Sequence, residues 1–445
     1  MADRDEVLRA VDDCAGELVP WLAELVRCPS VGGTPEENDV QAWLAPQLAA
    51  LGLDVDHWEL PLAELTARAD FPGVEVERAE SWGLVGRLPG SAPAGSSEQS
   101  PDQSPDRSPD RTGTREQSPR SLMFNAHVDV VPAGSLDTWT GGRPYSGEIV
   151  GGVLHGRGAC DMKAGLAAAY WAVVALVRAR VRLRGDLLLA CVQGEEDGGL
   201  GTFGLLERGW RADACVIPEP TSLDLVPATA GALTFRLRVP GHATHASRRL
   251  EGVSAIEKFW PIWSALQALE ADRNADADPM LARWALPYPL SIGQMSSGSW
   301  ASSVPDLLVA EGRLGVALDE PVEQARQALE QAVSVACQQD SWLRDNPVRV
   351  DWWGGQFASG RLAPGSDLVQ RVAAAHHAAG GGPQQTWAAP YGSDLRLMNG
   401  LGGVPTLHYG PGDTALAHAP NESVPLGEVL TATRTLALLA LDVCG

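Results

Sequence analysis

Between Ser121 and Pro220 the chain repeats one pattern: an apolar run short enough for a strand, closed by residues that ionise, and then a helical stretch. "SLMFNAHVDVV" carries His127 and Asp129, "VLHGRGACD" closes on Asp161, "GDLLLACVQGEED" closes on Glu195 and Glu196, and "ACVIPEP" carries Glu219. Between Asp161 and the third run lies "MKAGLAAAYWAVVALVRARV", an alanine-rich helical stretch. Runs that are apolar throughout belong to strands covered on both faces, and their alternation with helices demands a mostly parallel sheet with crossover connections. In such sheets functional groups gather at the C-terminal ends of the strands.

From about Ala232 the pattern changes. "LTFRLRVPG", a helix over residues 253–271, "YPLSIGQM", "DLLVAEGRLGVAL", a helix over 321–337 and "PVRVDWW" spell strand, helix, strand, strand, helix, strand, the order of a split βαβ unit. Helix and strand resume after Leu362 and end in the amphipathic "EVLTATRTLALLALDV". The expected fold class is α/β: a domain with a mostly parallel mixed sheet built from residues 1–231 and 355–445, with a ferredoxin-like α+β domain, 232–354, inserted in it. Two domains suit a chain of 445 residues. Residues 91–119, with a tandem SPD(Q/R) repeat and almost no apolar side chain, are expected to be a disordered insertion at the tip of a hairpin made by "SWGLVGRL" and "SLMFNAHVDVV".

A formal charge of −22, from 34 basic and 56 acidic residues, excludes nucleic acid or an anionic membrane surface as the partner. No apolar run is expected to span a membrane, and the acid-rich N-terminus lacks the features of a secretory signal, so the expected location is cytoplasmic. The seven cysteines show no CxxC spacing and read as small buried hydrophobes, not as a disulfide framework or a thiolate metal cluster.

Taken singly, each ionisable strand end has an ordinary explanation as a surface pair, a solvated loop or a turn. Together with His418 in "GPGDTALAHAPNE" they bring nitrogen and oxygen ligands from five segments to one sheet edge. Two histidines and several carboxylates without a thiolate suit zinc, cobalt or manganese, and the set is too rich for one tetrahedral ion. Two divalent cations sharing a carboxylate would use all of it.

The ordered motifs "NAHVDVVP", "GRGACDMKAG", "QGEEDGG", "PEPT", "GHATHAS" and "GPGDTALAHAPNE" resemble those of the acetylornithine deacetylase and succinyl-diaminopimelate desuccinylase family, whose relatives include carboxypeptidase G and the aminoacylases. The resemblance implies a dinuclear metallohydrolase that cleaves the amide bond of an N-acyl amino acid, or of a short peptide, with metal-activated water. It implies one metal on His127, Asp161 and Glu219 and another on Asp161, Glu196 and His418, zinc first, with cobalt or manganese as alternatives. Asp129 would accept a hydrogen bond from the far nitrogen of His127, and a cis peptide would follow Asp161. Glu195 would be the general base, its side chain turned away from that of Glu196 as neighbours on an extended segment are.

By the same resemblance, residues 232–354 form a lid and dimerisation domain whose His245 steadies the oxyanion in the site of a homodimer partner. His242, His376 and His377 read as surface residues. Arg396 in "PYGSDLRL" and Arg313, two positions before the family's usual arginine, are candidate contacts for a substrate carboxylate; a structural salt bridge is the alternative for Arg396. Among the 15 tryptophans, Trp300, Trp352 and Trp353 read as core packing. A metal- or ligand-binding protein without turnover is the reading from another class.

Overall fold

Strand Leu187–Val192 is buried along its whole length and lies inside a nine-stranded mixed sheet. Leu122–His127 pairs parallel to it on one side and to Ala214–Ile217 on the other, followed by Thr406–His408, also parallel. These four strands, apolar on both faces, form the parallel centre that their sequences demand. Antiparallel strands complete the sheet on both flanks. The structure is a computed structural model that describes residues 4–91 and 120–445.

Helix Ala164–Arg178 is buried in all but its last two residues and packs with Arg4–Arg27 and Leu426–Cys444. Gly165 permits its close approach to the sheet, because a Cβ there would lie 1.8 Å from the carbonyl oxygen of Pro218. That contact sets Asp161, just before the helix, beside Glu219, just after the strand. Contrary to the sequence expectation, residues Ala159–Arg178 have the length and apolarity of a membrane span; the stretch is mostly buried inside the protein and belongs to its core.

The second unit has a four-stranded antiparallel sheet in the order Leu290–Ser297, Leu307–Val316, Gly231–Pro240, Arg349–Phe357, with helices Ala255–Asn274 and Val322–Gln339 packed together. Ser254 caps the first of these helices by accepting from the backbone N–H of Glu257. Its core is a separate apolar cluster around Leu233, Phe235, Phe259, Ile262 and Leu329.

The hairpin expected from the two runs flanking residues 91–119 does not form. Trp82–Leu88 and Leu122–His127 are separated by Leu187–Val192, which pairs with both. Residues 92–119 of the expected insertion lie outside the described residues. Three side-chain readings are also corrected. His376 is buried, with its ring nitrogens on the Tyr409 hydroxyl at 2.8 Å and the Gly382 carbonyl at 3.2 Å. Trp300 is 74% exposed. Trp353 lies under the Arg236 guanidinium and not in an apolar core.

Candidate active site

Three strands of the parallel centre lead into the groups gathered at a common cavity. His127 is the last residue of its strand, Glu195 and Glu196 follow Val192, and Glu219 follows Ile217. The cavity, about 340 Å3, is lined by Asp161, Glu195, Glu196, Glu219 and His418 on its polar side and by Trp284, Phe357 and Tyr391 on its aromatic side.

Asp161 stands between the two histidines. Its Oδ1 lies 3.2 Å from Nε2 of His127 and its Oδ2 lies 3.6 Å from Nε2 of His418. Glu219 approaches the His127 nitrogen at 3.8 Å, and Glu196 pairs with the His418 nitrogen at 2.9 Å. The peptide from Asp161 to Met162 is cis. Ligand atoms of His127, Asp161 and Glu196 lie within 4.8 Å of one another, as do those of His127, Glu195 and Glu219.

Four carboxylates around two imidazoles carry more negative charge than the site can neutralise. Burial, then the proximity of Asp394, pushes Glu195 well above the usual carboxylate range, and burial with Asp161 close by does the same to Glu219. Glu196 beside His418 raises that imidazole to about 9. Burial disfavours the charged form of His127, yet the hydrogen bond to Asp161 and the nearby Glu219 lift it well above its ordinary value. The hard oxygen and imidazole donors of this cluster fit two divalent ions.

Two expectations about this cluster are corrected. The His127 Nδ1 bonds to the backbone carbonyl of Asp129 at 2.9 Å, while the Asp129 carboxylate is 3.7 Å away. That carboxylate instead accepts from the backbone N–H groups of Glu195, at 3.4 Å, and Glu196, at 3.2 Å. Glu195 and Glu196 sit on a turn entered through Gly194 at φ +67, not on an extended segment, so both side chains line the cavity.

Several supporting residues went unread in the sequence. Arg78 bridges Glu37 and Asp197 in a buried network, and Glu37 also accepts from the backbone N–H of Gly194 at 3.0 Å. Glu422 accepts from the backbone N–H of Cys160 at 2.8 Å and of Asp161 at 2.9 Å, and pairs with Arg157 at 2.7 Å. Arg157 in turn donates to the carbonyl of His418 at 3.1 Å, holding a residue whose φ of 61 is uncommon outside glycine. Buried ion pairs thus brace the segments that carry Glu195, Glu196, Asp161 and His418. Their partners lie far apart in sequence, and no local spacing signals them.

The remaining candidates lie as follows. His245 is exposed and does not line this cavity; its Nδ1 is engaged by the Ser247 hydroxyl at 2.8 Å. Arg396 is buried, donates to the carbonyls of Ser393 and Gly198, both at 2.7 Å, and lies over the Phe357 ring without lining the cavity. Burial lowers it to about 10. Arg313 does line the cavity, paired with Glu75 at 3.2 Å.

A model of the Peptidase family M20/M25/M40 matches residues 123–442. The chain belongs to this family. It is a metal-dependent hydrolase, and His127, Asp129, Asp161, Glu195, Glu196, Glu219 and His418 fall within the matched span. It is similar to the N-formyl-4-amino-5-aminomethyl-2-methylpyrimidine deformylase of Halalkalibacterium halodurans, 28% identical over 75% of this chain and 81% of the relative. The Bacillus subtilis protein of the same name is 25% identical over 98% and 96%. The succinyl-diaminopimelate desuccinylase of Dechloromonas aromatica is 37% identical over 34% of this chain and 43% of its own. In fold the chain is similar to the dipeptidase Dug1p of Saccharomyces cerevisiae, with a TM-score of 0.73 at 16% identity over 99% and 98% of the two chains. Human carnosine dipeptidase 1 gives 0.69 at 15% identity over 99% and 100%.

Proposed function

We propose that this hydrolase removes a small acyl group from an acylated amine at a pair of divalent cations, zinc first, with cobalt or manganese as alternatives. His127, Asp161 and Glu219 would hold one ion and Asp161, Glu196 and His418 the other. The observation that carries this reading is the placement of Asp161, with one oxygen toward each histidine. Bound there, the ions would supply Lewis-acid polarisation of the amide carbonyl and make a water easier to deprotonate. Glu195, buried and on the cavity wall, takes that proton and returns it to the leaving amine. The Asp129 carboxylate fixes the Glu195 and Glu196 backbone, and its carbonyl orients the His127 ring.

The substrate read from sequence is an N-acyl amino acid or short peptide. A second reading, an N-formyl or N-acetyl derivative of an aromatic amine, is favoured by the Trp284, Phe357 and Tyr391 wall and by the two deformylase relatives. The proposal includes a homodimer through residues 232–354, supported by the exposed Trp260, Met295, Trp300 and Leu307 of that unit. His245 would then serve the partner's site as an oxyanion donor. Cytoplasmic residence is supported by the seven cysteines, all free.

The test is hydrolysis of a panel of formyl, acetyl, succinyl and dipeptide compounds, including a formylated aminomethylpyrimidine, after chelation and add-back of zinc, cobalt or manganese. Metal-dependent release of the free amine from the formyl or acetyl compounds is the expected result. No hydrolysis of any member with any metal would instead make the chain a binding protein.

A further inference from the structure

Two arginines approach the cavity, and each guanidinium already donates to an acceptor of the protein. Arg396 is engaged by the two backbone carbonyls of Ser393 and Gly198. Arg313, half-exposed on the cavity wall, donates to Oε1 of Glu75. Glu75 is itself held from three sides. Its Oε1 also accepts from the Thr234 hydroxyl at 2.7 Å and the Gly355 N–H at 3.3 Å, and its own backbone N–H donates to the Asp197 carboxylate at 3.0 Å. A carboxylate fixed in this way needs no reorganisation to hold its cation.

The cavity also carries Trp284, Phe357 and Tyr391, with the Arg313 guanidinium over the Phe357 ring, and the buried Tyr391 hydroxyl has no hydrogen-bond partner among the described residues. The same cavity carries the carboxylate cluster. A substrate bearing a carboxylate would therefore meet, at Arg313, a guanidinium that already shares its charge with Glu75. An aromatic or otherwise uncharged amine meets stacking surfaces and an unpaired hydroxyl.

We infer that Glu75 is a specificity-determining residue: by occupying Arg313 it turns the cavity against amines that carry a carboxylate and toward uncharged acylated amines. The inference rests on the deacylase reading above and names its substrate class.

The experiment compares N-acetyl-L-phenylalanine with its carboxamide on the metal-loaded protein. kcat/KM is measured in the wild type, Glu75→Gln and the double variant Glu75→Gln with Arg313→Ala, and equilibrium binding of both compounds is measured in the same proteins with Glu195→Gln added. Glutamine keeps an oxygen for Thr234 and Gly355 while removing the charge. The wild type should prefer the carboxamide, and Glu75→Gln should shift the ratio about tenfold toward the carboxylate in both readouts. The double variant should lose that shift. A wild-type preference for the carboxylate, a ratio that Glu75→Gln leaves within about twofold, or no measurable binding of the carboxamide would overturn the inference. If the wild type hydrolyses neither compound the deacylase reading fails, while the binding ratios still decide the role of Glu75.

Discussion

Arg78 offers the sharpest test of how the base-bearing turn is held. Its guanidinium donates to Glu37 at 3.0 and 3.1 Å and to Asp197 at 2.9 and 3.0 Å, and the three side chains are only 3%, 2% and 10% exposed. Glu37 reaches on to Gly194, and Asp197 is two residues past Glu195, so the network grips both ends of the turn. Replacing Arg78 with methionine fills part of the space but leaves two buried carboxylates facing each other without a cation. Breaking a buried pair in this way costs about 3–5 kcal/mol, against a total of roughly 5–15 kcal/mol for an ordinary domain. A displacement of the turn by about 1 Å would lower turnover roughly a hundredfold. Urea unfolding monitored by circular dichroism reads the first effect and steady-state kinetics on the best substrate the second. The triple variant Glu37→Gln, Arg78→Met, Asp197→Asn, with no charge left unpaired, should recover most of the stability but not the turnover. If Arg78→Met unfolds at the wild-type midpoint and turns over normally, the turn is held by something else.

Glu195→Gln should reduce turnover by about 100- to 10,000-fold while metal content, read by elemental analysis, stays at the wild-type level; near-normal turnover would remove it as the base. Stability of the chelated protein should fall as pH rises. Glu195, Glu219, His127 and His418 all have folded values above their unfolded ones, so the folded state binds more protons and their contribution, full below about pH 4 for the acids and about pH 6.5 for the histidines, is lost as pH climbs, for His418 through about 9. Added zinc should consequently raise Tm more at pH 8.5 than at pH 5.5, a trend that differential scanning fluorimetry would reverse if the cluster were not proton-loaded when empty.

The parallel sheet and its ionisable strand ends were legible because both signals are local: an apolar run, then an acid or a histidine. His127, Glu196 and Glu219 come from the ends of parallel strands, and Asp161 and His418 join them from a helical turn and a loop. What the sequence hid is non-local. The two runs flanking residues 91–119 looked like a hairpin because nothing in either run shows that Leu187–Val192 pairs between them. Asp129 was tied to the right neighbour through the wrong atoms, since spacing gives proximity along a strand but not whether carbonyl or carboxylate makes the bond. Glu195 and Glu196 do not alternate as strand neighbours because the strand ends at Val192 and a turn through Gly194 follows. Arg396 matched a charged motif, yet in the fold its guanidinium satisfies backbone carbonyls. Glu75 sits in a loop with no motif, and only the fold brings it to Arg313.

The central claim is that Asp161 is shared by two ions. Metal content of the purified, zinc-reconstituted protein measures it directly. The wild type should carry about two ions per chain; His418→Ala should keep about one, held by the His127 side, and Asp161→Asn should lose both or nearly so. A wild type that binds a single ion, or an Asp161→Asn protein that still binds two, would contradict the shared-carboxylate site.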